Sequence, residues 1–251
     1  MTLESIIVFQ HVSVEHPGIF RNFFDDDGIR LHTVELDKGE KIPELKEFDA
    51  LWVMGGPMDV WEEDKYPWLV KEMALIRTAI DELNMPFMGI CLGHQLLAHA
   101  FGAEVGPGKK SEVGVMPVRK TATGKKSPFF CDLPDTMDTL QWHSAEVKTI
   151  PEGFQVLAES DQCAIQSLSY GNKVFSAQYH QEITKNNLQA SVAIFSAGIS
   201  NKVKRIIFCS SMARYGSQTT PFTEDMEPSP IDPYGISKVA AEKILISLCN
   251  L

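Results

Sequence analysis

Pro86-Phe87-Met88-Gly89-Ile90-Cys91-Leu92-Gly93-His94-Gln95-Leu96-Leu97-Ala98-His99-Ala100 is the stretch that decides the fold. Its first five residues form a hydrophobic run that reads as a buried strand, and Gly93 to Ala100 reads as a helix. Gly-x-Cys-x-Gly joins the two. A strand, a sharp turn and a helix with a nucleophile at the apex make a nucleophile elbow. The flanking glycines let the backbone fold tightly around a strained residue with little side-chain collision. The strain pushes the sulfur out of the sheet, where a helix amino terminus stabilises a thiolate, the reactive form of cysteine. On the pentapeptide alone, a small buried core cysteine in an ordinary turn is the competing reading.

Two other segments bear on that choice. Val174 to Tyr179 reads as a strand, followed by His180 and Glu182. Alternation along a strand puts Gln178, His180 and Glu182 on one face. A histidine beside a carboxylate is what a cysteine nucleophile needs: the imidazole takes and returns the thiol proton, and the carboxylate orients the ring. Taken alone, the pair reads equally as a surface histidine near a solvated glutamate. Leu51-Trp52-Val53-Met54-Gly55-Gly56-Pro57 is an apolar strand ending in two glycines. Exposed backbone N–H groups at such a turn suit a developing oxyanion, although Gly-Gly-Pro by itself is only a turn.

The rest of the first 180 residues alternates. Ser5 to Gln10 reads as a strand, Pro17 to Phe24 as a short helix, Ile29 to Leu36 and Ala50 to Met54 as strands. Tyr66 to Leu83 reads as a helix whose Leu69, Met73, Ile76, Ile80 and Leu83 form one apolar stripe. From Glu104 to His180 the pattern changes to short strands with turns, among them Gly106-Pro107-Gly108 and Tyr170-Gly171-Asn172. Alternating strands and helices predict an α/β fold: a mostly parallel open sheet with helices on both faces and the nucleophile at a strand's carboxyl end.

On these segments, together with Gln141-Trp142-His143-Ser144 and Gln178-Tyr179-His180-Gln181-Glu182, residues from about 5 to about 185 resemble a class I (triad-type) glutamine amidotransferase domain of flavodoxin-like fold. The likeness is greatest to stand-alone proteins similar to the amidotransferase part of GMP synthase. The resemblance implies Cys91 as nucleophile, His180 as base and Glu182 as its orienter. It implies an oxyanion hole from the Gly56 and Leu92 N–H groups, with Gly55, Gln95, His143 and Ser144 holding L-glutamine. The implied reaction releases ammonia and glutamate through a cysteine thioester, with no metal or other cofactor. Where the family pattern has proline between histidine and glutamate, this chain has Gln181, which faces away from the two acting side chains. The chain carries no synthetase domain, so the resemblance leaves the ammonia to water, a small molecule or a separate synthetase subunit.

Composition sets outer bounds. The formal net charge of -10 over 251 residues argues against a nucleic-acid partner, since a phosphate backbone would be repelled. The five cysteines, Cys91, Cys131, Cys163, Cys209 and Cys249, are odd in number and scattered, which suits reduced thiols in a cytoplasm. Residues 5–10 are too few for a membrane span or the core of a signal peptide. Neither His94 with His99 nor His11 with His16 has a helical metal-pair spacing, and no Cys-x-x-Cys occurs.

After about Asn187 the sequence changes character. Val203 to Ser211 reads as a buried strand, a proline-rich polar loop follows, and Tyr234-Gly235-Ile236-Ser237-Lys238 opens a helix. Tyrosine and lysine four apart share a helix face. Together with Ser210-Ser211-Met212-Ala213-Arg214-Tyr215-Gly216, this region resembles the middle of an extended short-chain dehydrogenase of the nucleotide-sugar epimerase and dehydratase type. That resemblance implies Ser211, Tyr234 and Lys238 as the serine, tyrosine and lysine of its site. No glycine-rich turn for a nicotinamide cofactor appears, and so short a segment lacks an independent core. The expected organisation is an amidotransferase domain over 1–186 and a partial, inactive dehydrogenase-like segment of Rossmann type over 187–251, with residues 188–195 closing the first domain as a helix. Two other readings remain open: a gamma-glutamyl-type cysteine hydrolase on the same scaffold, and a non-catalytic fusion that only binds a partner.

Overall fold

Runs of four to six residues, apolar in all but the edge strand, build the first half of the sheet. In the computed structural model, which describes residues 3–13, 15–182 and 211–216 and single positions among 218–242, these runs are β1 (Ser5–Gln10), β2 (Arg30–Glu35), β3 (Ala50–Val53) and β4 (Phe87–Ile90). With β9 (Val174–Ala177) they pair in parallel in the order β2-β1-β3-β4-β9. Every residue of β1 is buried, as expected of a parallel strand covered on both faces. Helix α1 (Phe20–Asp26) covers one face, where Phe20 and Phe24 meet Trp52 edge-on at 5.1 and 5.0 Å. Helices α2 (Trp68–Arg77) and α3 (Leu92–Ala100) contribute to the larger core, with Leu69, Ile76, Leu92, Leu96 and Leu97 fully buried.

Beyond β9 the sheet is antiparallel. β8 (Ser167–Tyr170), β7 (Gln155–Glu159), β5 (Val105–Lys120) and β6 (Thr136–Val147) complete nine strands among the described residues, in the order β9-β8-β7-β5-β6. The sheet is therefore parallel in one half only, not mostly parallel as expected. The connections in the second half lack the crossover helices that parallel pairing requires. The expected short strands at 104–147 are one long hairpin. Gly106-Pro107-Gly108 does not turn the chain: Pro107 pairs with Ala145, and the register shifts between Pro107 and Glu112. A bulge absorbs the irregularity and keeps the strand going.

The long helix also departs from expectation at its end. Leu69, Met73, Ile76 and Ile80 are buried, but Leu83 is 39% exposed. At Thr78–Glu82 the chain changes to a π-turn. The wider turn advances the helix by an extra residue and rotates Leu83 off the stripe.

The chain divides into two compact units, Met1–Glu182 and Ile183–Leu251. In the second, Met212–Tyr215 forms a 3-10 turn, Tyr215 stacks on Phe222 at 4.9 Å, and Arg214 pairs with Glu242 at 3.1 Å. Ser211 opens that turn, its carbonyl accepting the Arg214 N–H at 3.1 Å. Lys238 is helical. Tyr234, the expected helix at 188–195 and the run 203–210 lie outside the described residues, and the dehydrogenase-like reading of 187–251 gains no support from those that are described. No helix among the described residues is long and apolar enough to cross a membrane.

Candidate active site

The carboxyl ends of four parallel strands converge on one place, as open α/β sheets dictate for their sites. β4 delivers Cys91, β3 delivers Met54-Gly55-Gly56, β9 delivers Gln178 to Glu182, and β1 delivers His11 and the loop that follows. β4 and β9 are direct neighbours, with Ile90 opposite Ala177, so Cys91 and Gln178 leave the sheet side by side.

Cys91 stands at φ 52, ψ -101, immediately before the first residue of α3. A non-glycine residue held there costs about 1–3 kcal/mol and persists only where its surroundings fix it. Its N–H is held by the Ala177 carbonyl at 2.8 Å. The strain falls on the cysteine itself; Gly89 and Gly93 have no positive φ. They are glycines for a different reason. A Cβ on Gly93 would sit 2.2 Å from the Val53 carbonyl oxygen, and one on Gly89 would sit 2.7 Å from the Gly93 oxygen. The elbow works because α3 lies almost against β3, and the Gly93 N–H bonds the Met54 carbonyl at 3.2 Å.

The Cys91 sulfur is buried beside the Trp142 carbonyl oxygen at 3.9 Å, and the Gln178 amide nitrogen reaches it at 3.7 Å. His180 Nδ1 lies 2.7 Å from Glu182 Oε1, with both side chains buried. β9 ends at Ala177, two residues before its expected end, so alternation along a strand does not explain why Gln178, His180 and Glu182 gather. Their segment is instead pinned by backbone bonds from Gln178 to Gln166 and from His180 to Leu140, both at 2.9 Å. Burial alone would lower the pKa of His180, but Glu182 and Cys91 hold it well above the ordinary value.

The other expected residues fall into place unevenly. Gly56 and Leu92 are neighbours: a Cβ on Gly56 would meet Leu92 Cδ2 at 3.0 Å. Leu92 opens α3, so its N–H has no acceptor within the helix. Gly55 gives its carbonyl to His11 Nδ1 at 2.8 Å. Gln95 uses its amide nitrogen on the Ala145 carbonyl at 3.2 Å and on Gln178 Oε1 at 3.0 Å, steadying the glutamine that touches Cys91. Both ring nitrogens of His143 are taken up inside the protein, by the Ala145 carbonyl at 2.9 Å and Glu112 Oε2 at 3.1 Å. Ser144 is exposed.

Three residues escape the sequence reading. Gln178 falls on the expected face but carries no expected role. Glu15, from the loop after β1, is buried against the site. Glu72, on α2, binds His11 Nε2 at 2.9 Å. Among the described residues, Glu15, His180 and Glu182 form the one group of donors near enough to hold a cation, all within 4.8 Å of one another. A metal bound through Nδ1 would first have to break the 2.7 Å bond to Glu182.

Residues 22–195 match the family model "Glutamine amidotransferase class-I". The chain is 33% identical over 178 residues to the glutamine amidotransferase-like protein YfeJ of Salmonella typhimurium, covering 69% of this chain and 74% of the relative. It is 32% identical over 154 residues to a subunit of the glutamine-hydrolyzing GMP synthase of Sulfolobus acidocaldarius, covering 61% of this chain and 77% of that one. The crystal structure of a glutamine amidotransferase from Thermotoga maritima superposes with a TM-score of 0.69 at 30% identity, over 80% of this chain and 86% of that one. The chain belongs to the class-I glutamine amidotransferases, enzymes that hydrolyse the side-chain amide of glutamine.

Proposed function

We propose that Cys91, His180 and Glu182 are the catalytic triad of a glutamine amidotransferase. The observation that carries this reading is a strained cysteine at a helix amino terminus, beside a buried histidine that a glutamate holds at 2.7 Å. The Cys91 thiolate attacks the side-chain amide carbon of L-glutamine. The carbonyl electron pair moves onto oxygen, and the Gly56 and Leu92 N–H groups receive the oxyanion. His180 gives its proton to the amide nitrogen, the C–N bond breaks, and ammonia leaves. Water then gives a proton to His180 and adds to the glutamyl thioester. The C–S bond breaks, glutamate departs, and the thiolate is restored.

Because the His143 ring is engaged by Ala145 and Glu112, the main chain of Trp142 to Ser144 faces the substrate in place of that ring. Gln95 acts through Gln178, which it steadies against the sulfur. The ammonia passes to a separate synthetase subunit. Relatives whose names make them one subunit of a GMP synthase support that reading. Free thiols at Cys91, Cys131 and Cys163 suit a cytoplasmic location.

Ammonia and glutamate release from L-glutamine, measured for wild type and Cys91→Ala together, tests the proposal. Release by the wild type alone supports it. A wild type that neither turns over glutamine nor is labelled at Cys91 by a glutamine-like electrophile overturns it.

A further inference from the structure

The loop between β1 and α1 is locked onto the histidine–glutamate pair. Gly18, at φ +54, lies so close to Glu182 that a Cβ would come within 2.0 Å of its carbonyl oxygen. The next residue, Ile19, donates its N–H to that same oxygen at 3.0 Å. The loop therefore has one fixed height over the site, and it buries Glu15 there. On the other side, Gly55 leaves the room this requires. A Cβ on Gly55 would meet Glu15 Oε2 at 2.7 Å and His180 Cε1 at 3.4 Å. The carboxylates of Glu15 and Glu182 and the imidazole of His180 thus offer ligand atoms within 4.8 Å of one another.

We propose that Glu15 is a positioning residue of the triad: a second carboxylate, carried by the β1–α1 loop, that holds negative charge against the imidazolium form of His180. An imidazolium forms whenever Cys91 is a thiolate and again when His180 takes a proton from water. In a buried site one carboxylate on Nδ1 and another within 4.8 Å of a ring nitrogen favour that charge more than either alone. The titratable groups around His180 come from three elements: Cys91 from the elbow, Glu182 from its own segment and Glu15 from the loop. One layer out, His16 feels Glu182 and His11 feels Glu15. This inference rests on the proposed triad.

The test is the pH dependence of Cys91 alkylation by iodoacetamide, followed by mass spectrometry in the full-length protein for wild type, Glu15→Gln and Glu15→Asp. Wild type is expected to label at Cys91 with a second, alkaline inflection where His180 loses its proton. Glu15→Gln should move that inflection to lower pH by about one unit, and Glu15→Asp should move it back toward wild type. A purely structural Glu15 would change rates without moving the inflection. An unmoved inflection in a folded Glu15→Gln protein overturns the inference and leaves the triad standing. Absence of Cys91 labelling in the wild type, at every pH, overturns the triad itself.

Discussion

His180 with Glu182 and His143 with Glu112 are both buried imidazole–carboxylate pairs, 2.7 and 3.1 Å apart, yet only one of them faces the proposed nucleophile. Around His143 both ring nitrogens end on acceptors inside the protein, and Glu112 takes further donors from Ser160 at 2.7 Å and Gln166 at 2.6 Å. That network ties β5, β6, the turn after β7 and the residue before β8 together behind the wall that Trp142 presents to Cys91. His11 with Glu72 repeats the closed pattern, Nδ1 on the Gly55 carbonyl and Nε2 on the carboxylate. Around His180 the carboxylate takes Nδ1, and the Cys91 side chain is the other group that acts on the ring. A buried histidine–glutamate pair is therefore not in itself a sign of catalysis. What sets the proposed triad apart is a ring that also faces Cys91.

The largest expected contrast comes from removing the open ring. His180→Gln should lower glutaminase turnover by about a thousandfold or more, in steady-state ammonia release. A loss below about tenfold would break the comparison.

Next comes a closed pair. Glu72→Gln should lower stability by about 3 kcal/mol in urea denaturation, because it leaves a buried ring without its carboxylate, while the folded protein keeps most of its turnover. The pH dependence has a definite sign. Burial lowers His11, but Glu72 holds it above its ordinary 6.5, so the pair's contribution is present below that value and fades as pH rises through the folded one. The stability gap between wild type and variant should shrink at alkaline pH.

A buried histidine with no carboxylate sharpens the contrast from the opposite side. Burial pushes His94 down to about 3, against the pull of the Ile165 backbone, and its Nδ1 lies 2.8 Å from the Ser176 hydroxyl. Its neutral form is the folded one, so this contribution is present above pH 6.5 and is lost as pH falls below it. Each unit of pH between those limits should remove about 1.4 kcal/mol. Urea midpoints between about pH 7 and pH 5 should fall more steeply for wild type than for His94→Asn, and equal slopes would contradict the assignment.

Much of this is legible in the sequence alone. The elbow is visible because an apolar strand, a glycine-flanked cysteine and an apolar helix are adjacent in the chain. The reason for its glycines is not: they serve the close approach of α3 to β3, a tertiary fact that local backbone chemistry does not reveal. The parallel strands emerge within a residue or two: continuous apolar runs mark the inner ones, buried on both faces, while the edge strand β2 alternates. The long hairpin is hidden because Gly106-Pro107-Gly108 carries turn chemistry and only pairing with Ala145 overrides it. Glu15 and Glu72 are invisible for a similar reason. Each is a lone acidic residue in sequence, and Glu72 meets its partner 61 positions away. His143 shows the converse: its motif is recognisable, but the Glu112 that engages its ring lies 31 positions earlier.

The most direct test compares the two carboxylates in one experiment: kcat for L-glutamine and the urea midpoint of Glu182→Gln and Glu112→Gln beside wild type. Glu182→Gln is expected to lose about a hundredfold or more in kcat. Glu112→Gln is expected to lose midpoint, by about 3 kcal/mol of stability, while its folded fraction stays within about tenfold of wild-type kcat. Equal losses of turnover in the two variants, or a Glu182→Gln enzyme that turns over like wild type, would contradict the assignment of His180–Glu182 as the one catalytic pair.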